Sequence, residues 1–302
     1  MFLAWREFKK GKRKRLDVQE FDFNLEDNLF QLHSELKNKT YKHSQYIPFY
    51  VTDPKLRHIH KACVRDRVLH QAVFRVLYPI FDRHFMFDSY SCRIGKGTHK
   101  AVTRLETFCR KLSQNNSQTI FALKCDIKKF FDSIDQDALI KLIQLKIKDD
   151  NAVWLVEKII GSFNKGLPLG NVTSQLFANI YLNELDQFVK HNLKEKYYIR
   201  YCDDFVILGS NKYYLLNLSY KINTFLFENL KLFLHPDKII IRKYRQGIDF
   251  LGYVVLPNHR VLRTKTKRRM LRKINEKNVD SYLGVLRHCK GFNIKQKLLF
   301  YF

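Results

Sequence analysis

Tyr201-Cys202-Asp203-Asp204 opens the octapeptide YCDDFVIL (residues 201–208) and interrupts an otherwise apolar, β-rich run from Tyr197 to Leu208. The pattern predicts a β-hairpin carrying two carboxylates at its tip. Adjacent carboxylates repel each other, a cost that a divalent cation or a basic partner removes. Aspartate is also an ordinary turn residue, so a solvated hairpin tip satisfies the same segment. The choice falls to the flanking sequence.

Upstream, LKCDIKKFFDSID (residues 123–135) reads as a strand in which Phe121, Leu123 and Cys125 alternate with Ala122, Lys124 and Asp126. Asp126 ends that strand. Ser133 and Gln136 have capping-box spacing ahead of Leu139, Leu142, Ile143 and Ile147, which predicts a helix from about residue 134. The Gly/Pro loop NKGLPLGN (164–171) then leads into a long helix with Ile180, Leu185, Phe188 and Val189 on one side. After the hairpin, Ser210 and Asn211 can cap a helix whose buried stripe is Leu215, Leu218, Ile222, Phe225 and Leu226. From Phe121 to Ile241 the order is strand, helix, helix, hairpin, helix, strand. That order predicts an α+β fold, an antiparallel split βαβ sheet with helices on one face. Such a sheet can make the Asp126 strand and the Asp203 hairpin neighbours, although 77 positions separate the two residues.

The flanks are basic. With 55 Lys plus Arg against 29 Asp plus Glu, the net charge is +26, a balance that suits a polyanionic partner, nucleic acid first. No apolar stretch approaches the roughly 20 residues needed to span a bilayer. Met1 to Trp5 is too short for a secretory leader, so none is expected. The six cysteines (63, 92, 109, 125, 202 and 289) contain no CxxC pair, which argues against a structural zinc site and against a disulfide framework. A reducing, cytoplasmic setting follows. Lys9 to Arg15 holds six basic residues in seven, either a solvated tail or a phosphate-contacting arm. An amphipathic helix with Phe21, Leu25, Leu29, Leu32 and Leu36 is expected after it, and another through Val64, Leu69, Val73, Val76 and Leu77. GIDFLGYVV (247–255) and RVLRT (260–264) suit one more hairpin around Pro257-Asn258, and KTKRRMLRKINEK (265–277) a basic helix.

Phosphoryl transfer through two metals needs carboxylates from separate strands at one point, with the ions about 4 Å apart. With that demand stated, the motifs match a family. The chain resembles a reverse transcriptase over nearly its whole length. KCDIKKFFDSID (124–135) and YCDD (201–204) resemble the two catalytic motifs, and LPLGNVTSQLFANIYLNELD (167–186) the motif bordering the nucleotide pocket. NLKLFLHPDKIIIR (229–242) resembles the motif that follows, and GIDFLGYVV the hairpin gripping the primer. The resemblance implies a right-hand polymerase with fingers at 1–118, a palm at 119–256 (about 161–175 bordering the fingers) and a short helical thumb at 257–302.

Carried over by position, it implies that Asp126 and Asp203 bind two Mg²⁺ ions, with Mn²⁺ as a substitute, and that Asp204 is a weaker ligand. Asp132, Asp135 and Asp137 match no ligand position. Phe131 matches the aromatic gate beneath the incoming sugar, although packing is a second reading of the same ring. Lys55, Arg57, Leu169, Gly170, Gln175 and Lys238 fall at deoxynucleotide-binding positions, and Arg93, Lys96, Gly252, Arg268 and Arg269 at template–primer positions. Arg65, Asp66 and Arg67 match a basic fingers motif. For Lys55, Arg57 and this trio a solvated surface role is the alternative, as it is for His99.

LGNVTSQ (169–175) has Leu169 and Gln175 where most of the family has glutamine and proline. This form resembles the enzymes of diversity-generating retroelements, prokaryotic or phage-encoded, which make error-prone cDNA from a template RNA. Leucine cannot donate the hydrogen bonds of a glutamine amide, so base discrimination should weaken, unless Leu169 is only a pocket wall. SYLGVLRHCKGF (281–292), with Tyr282, Gly284 and His288, also looks like that subgroup's thumb. Template RNA, the cDNA–primer duplex, deoxynucleotides and a small basic accessory protein are the implied partners. With no room for a ribonuclease H, endonuclease or maturase extension after Phe302, other functions are expected to come from elsewhere. The alternatives are a defence-associated or other group II intron-like reverse transcriptase, or an inactive RNA-binding scaffold.

Overall fold

The computed structural model describes residues 1–53 and 55–299, and the chain divides into two units. The first comprises residues 1–86, 128–186 and 225–232; the second comprises 87–127, 187–224 and 233–302.

In the first unit, helices Phe2–Lys9, Leu16–Phe23 and Val64–Asp82 close a small core of Trp5, Phe8, Val18, Phe21, Val64 and Val68. The Trp5 and Phe21 rings meet at a tilt of 37°, with centroids 5.1 Å apart. The single amphipathic helix expected from Phe21 to Leu36 is instead two, Leu16–Phe23 and Leu25–Lys37, broken at Asn24 where ψ reaches 42°. Residues Lys9 to Arg15 are no loose tail. Lys9 pairs with Asp22, and the Lys12 ammonium donates to the Phe8 carbonyl at 2.6 Å and lies over the Phe8 ring.

Strands β1 (Ile47–Val51) and β2 (Arg57–Lys61) form an antiparallel hairpin that the sequence reading did not foresee. In helix Val64–Asp82, Val64, Leu69, Val73 and Leu77 are buried as expected, but Val76 is exposed. The helix expected near residue 134 is Gln136–Gln144, and its cap is Asp135, which accepts from the Ala138 amide at 2.8 Å; Ser133 belongs to the preceding short helix Phe130–Ser133. Helix Asp150–Ile160, capped by Asp149, was also unforeseen. Helix Val172–Gln187 buries Ile180 and Leu185.

In the second unit, β3 (Phe121–Asp126), β4 (Tyr198–Tyr201), β5 (Asp204–Gly209) and β6 (Ile240–Lys243) form one antiparallel sheet in the order β4-β5-β3-β6. The strand of Asp126 and the hairpin of Asp203 are therefore adjacent and central, the split βαβ arrangement. Helix Lys212–Leu230 starts at Asn211, whose Oδ1 accepts from the Tyr213 and Tyr214 amides. The segment 248–262 makes a three-stranded meander rather than one hairpin: β7 (Ile248–Phe250), β8 (Tyr253–Val255) and β9 (Arg260–Leu262). Leu251 and Gly252, both at positive φ (51° and 89°), turn the first corner. One apolar core joins Ala122, Ile199, Val206 and Leu208 of the sheet to Val102, Leu105 and Phe108 of helix Thr98–Leu112 and to Phe250 and Val255 of the meander. Helix Thr264–Lys273 follows, with only Met270 buried.

Candidate active site

β3 and β5 pair so that Asp126 stands opposite Asp204, and Tyr201 of β4 stands opposite the same Asp204. Cys202 and Asp203 make the tip, with Cys202 in the left-handed region at φ 58°, a conformation that costs a non-glycine residue about 1 kcal/mol. Backbone bonds fix the acidic positions. The Ile127 amide donates to the Asp203 carbonyl at 3.3 Å, and the His235 amide to the Asp126 carbonyl at 2.8 Å. Beneath the tip, Arg200 is fully buried and its Nη1 donates to the Cys202 carbonyl at 3.0 Å.

Two lysines face the carboxylates. Lys238, from the short turn Pro236–Lys238, places Nζ 2.8 Å from Asp126 Oδ1. Lys124, two residues before Asp126 on the same strand face, places Nζ 3.3 Å from Asp204 Oδ2 and 2.9 Å from the Asp249 carbonyl. The sequence reading missed Lys124, although strand alternation alone puts it beside Asp126.

These counter-charges do not neutralise the tip fully. Burial, and then the Asp126 charge, push the Asp203 carboxyl above its ordinary range. Burial likewise pushes Asp204 up to about 6, against the opposing pull of Lys124. Asp204 Oδ1 is buried without a hydrogen-bond partner. Among the described residues no three His, Cys, Asp or Glu side chains form a ready-made metal cage. The donor set is nevertheless purely carboxylate oxygen, electrostatically strained and partly orphaned, and so suits a hard divalent cation.

The nucleotide candidates other than Lys238 belong to the first unit. There the Leu167 amide donates to the Phe131 carbonyl at 2.8 Å. Gly166, at φ 64°, lies so close to the Phe131 carbonyl and the Asp132 backbone that no Cβ fits. Leu169 is half-buried, and its carbonyl accepts from the His60 amide of β2 at 3.0 Å. Asn171 Nδ2 donates to the His60 carbonyl at 3.1 Å, and a Cβ on Gly170 would meet the Ile59 side chain at 2.8 Å. The loop bearing Leu169 is thus stitched to β2, while Gln175 is exposed one turn into helix Val172–Gln187. Lys55 and Arg57 are exposed on the β1–β2 hairpin.

Arg93 and Lys96, in the second unit, bond their own loop: Arg93 Nη1 donates to the Ser89 carbonyl at 3.1 Å and Lys96 Nζ to the Phe87 carbonyl at 2.7 Å. His99 is not a free surface histidine, because its ring stacks on His288 at 3.6 Å. Gly252 occupies the β7–β8 turn, Arg268 is exposed on helix Thr264–Lys273, and Arg269 is half-buried on it. No helix among the described residues is long and apolar enough to cross a membrane.

A split βαβ sheet with aspartates at the end of one central strand and on the adjoining hairpin is the layout of a polymerase palm. The family described as reverse transcriptase (RNA-dependent DNA polymerase) matches residues 42–255, and the chain belongs to it. Among curated proteins, the chain is similar to protein YkfC of Escherichia coli, 26% identical over 264 residues, covering 74% of this chain and 67% of that one. It is also similar to the group II intron-encoded protein LtrA of Lactococcus lactis, 26% identical over 319 residues, covering 81% and 51%. Of solved structures, apo telomerase from Candida tropicalis superposes with a TM-score of 0.53 at 14% identity, covering 72% of this chain and 48% of that chain. Telomerase from Candida albicans, in complex with a fragment of telomeric RNA, gives 0.55 at 12%, covering 80% and 52%. The fold is that of the right-hand polymerases. The chain spans about half the length of LtrA and of the two telomerases.

Proposed function

We propose that this chain copies an RNA template into DNA, with Asp126 and Asp203 as the metal-holding carboxylates and Asp204 as their auxiliary. The observation that carries this reading is the Asp126–Asp204 pairing at the end of two central strands, with the Asp203 carboxyl raised by burial and by Asp126 beside it. Mg²⁺ bound there would lower the pKa of the attacking 3′-hydroxyl and offset the negative charge on the leaving pyrophosphate. The chain's own part is to orient and balance. Lys238 holds Asp126 in place, Lys124 draws Asp204 aside, and the backbone bonds from Ile127 and His235 keep both acidic strands in register.

In the first unit, Phe131 is assigned to exclude a 2′-hydroxyl, Leu169, Gly170 and Gln175 to border the base, and Lys55 and Arg57 to bind the triphosphate. Arg93, Lys96, Gly252, Arg268 and Arg269 would track the template–primer. These roles fit fingers at 1–118, a palm at 119–256 and a thumb at 257–302. Primer extension on an RNA template with Mg²⁺, run beside Asp203→Ala, tests the activity. Incorporation by the wild type and a loss of at least ~10³-fold in the variant are expected; equal incorporation by both would remove the polymerase assignment.

We assign the subtype as an error-prone, diversity-generating enzyme working with a template RNA and a small basic accessory protein. Support comes from Leu169, an apolar side chain on a loop tied to β2, at a position where the family places an amide donor. Leu169→Gln should lower misincorporation opposite template adenine; an unchanged error spectrum would cut that link. A second reading, a group II intron-type reverse transcriptase, is favoured by the similarity to LtrA. Sequencing cDNA made from co-purified RNA separates the two, because substitutions confined to adenine support the first and faithful copies the second.

A further inference from the structure

At the end of the meander away from the Gly252 turn, a cleft of about 360 Å³ lies among helix Thr98–Leu112, the β8–β9 turn and residues 287–290. Its lining includes Arg110, Arg260, Arg287 and Lys290, with His259 and His288, against one carboxylate, Glu106. Glu106 is already engaged, 3.3 Å from Arg260 Nε. Arg260 Nη2 donates to Thr103 Oγ1 at 3.2 Å, which leaves Nη1 buried with no partner. The Lys290 amide donates to the Arg260 carbonyl at 2.8 Å, so the basic segment 287–290 is anchored to β9. His288 is held by its stack on His99 at 3.6 Å and 15°. The site has excess positive charge, an unsatisfied guanidinium nitrogen and fixed walls.

A second cleft of about 130 Å³ shares Tyr244 and Pro257 with the first and adds Lys243 and Arg245. The two adjoin at Tyr244 and Pro257 and together present one basic stretch of surface. It runs past Ile120, whose carbonyl accepts from the Tyr244 amide at 2.9 Å. Ile120 immediately precedes β3, and Asp126 is at the other end of that strand, about 20 Å away at roughly 3.3 Å per residue. A phosphate in this groove therefore belongs to a different stretch of polymer from the 3′ end being extended. Two joined clefts suit a chain with repeating charges better than a single free anion.

We propose that this groove is a second RNA-binding site, taking the phosphodiester backbone of a template RNA outside the segment being copied. The proposal rests on the polymerase reading only in naming that RNA as the template. A groove of this kind would hold the transcript while the copied part moves through the palm, and it would read charge rather than bases.

The test is a triple variant, Arg245→Glu, Arg287→Glu and Lys290→Glu, all at exposed positions and none assigned to the nucleotide or primer sites. Binding is followed by fluorescence anisotropy on a structured RNA of about 100 nucleotides and on a short RNA–DNA primer–template that fills only the palm. The variant should bind the long RNA at least about 10-fold more weakly, with a salt dependence shallower by about two, and bind the short duplex as the wild type does. An unchanged affinity for the long RNA, or an equal loss on both substrates, would overturn the proposal. Displacement of the long RNA from the wild type by tripolyphosphate at a concentration comparable to the RNA's own dissociation constant would also overturn it, in favour of a small anion. Wild-type primer extension, run in parallel, reports on the polymerase reading independently.

Discussion

Asp126 stands directly opposite Asp204 across the β3–β5 ladder, and each carboxylate has a different lysine, Lys238 at 2.8 Å from Asp126 and Lys124 at 3.3 Å from Asp204. The site is built from like charges forced together by strand pairing and moderated by cations from β3 and from the turn before β6. Its stability therefore depends on protonation in a definite direction.

Burial holds Asp204 near 6, above its ordinary 3.8. Below both values the carboxyl is protonated in the folded and unfolded chain alike. Between them the folded chain binds the proton better, so stability falls as pH rises from about 4 to 6, and the deficit is complete above 6. Asp204→Asn in EDTA should raise Tm at pH 8 by on the order of 5 °C and leave it nearly unchanged at pH 4. An equal gain at both pH values would contradict this cause.

Mg²⁺ should raise the Tm of the wild type in a concentration-dependent way, by mass action on a folded-state site. Asp126→Asn and Asp203→Asn should each abolish most of that rise. Scanning fluorimetry across a Mg²⁺ series reads this without any turnover.

Phe131→Ala should raise ribonucleotide incorporation relative to deoxynucleotide by about 10-fold or more. Competing ribo- and deoxynucleotides in single-turnover extension measure the ratio. A ratio that stays fixed would return Phe131 to packing, alongside Phe130 at 5.3 Å.

Gly166→Ala should cost about 2 kcal/mol or more, because φ is 64° and the Phe131 and Asp132 backbone occupies the place of a Cβ. The loop shift should raise the KM for deoxynucleotide more than it lowers kcat. Urea unfolding and steady-state kinetics check the two halves.

His70, buried in the first unit beside His43 at 3.2 Å, is held down to about 3 chiefly by burial and then by His43. Its neutral form is the folded one. The stability this contributes is whole above pH 6.5 and declines as pH falls toward 3, by up to about 1.4 kcal/mol per unit. His70→Gln should flatten the fall in Tm between pH 7 and 5. A slope as steep as that of the wild type would assign the acid sensitivity to other groups.

The sheet was legible because β3 carries period-two alternation, because β4 and β5 lie in one apolar, β-rich run, and because Asp126 and Asp203 made sense only if brought together. β3 runs over the predicted residues, and the hairpin turns at the predicted tip. The β1–β2 hairpin was missed because Ile47–Val51 is exposed throughout, leaving no apolar alternation to read. Asn24 broke a helix whose leucine spacing continues through the break, since periodicity does not register one residue's dihedral angles. Asp135 displaced Ser133 as a cap because a carboxylate two residues further on met the same need. Of the site, Lys124 was within reach of strand arithmetic. The stitching of Gly166 to the Phe131 backbone was not, because it depends on a tertiary approach between segments 35 residues apart.

Lys124 and Lys238 act as resident placeholders for the positive charge that chemistry would import. Folding and turnover thus draw on separate sources of cation. Withholding the ion would silence such an enzyme without dismantling its scaffold, so that activity returns on replenishment with no need to refold.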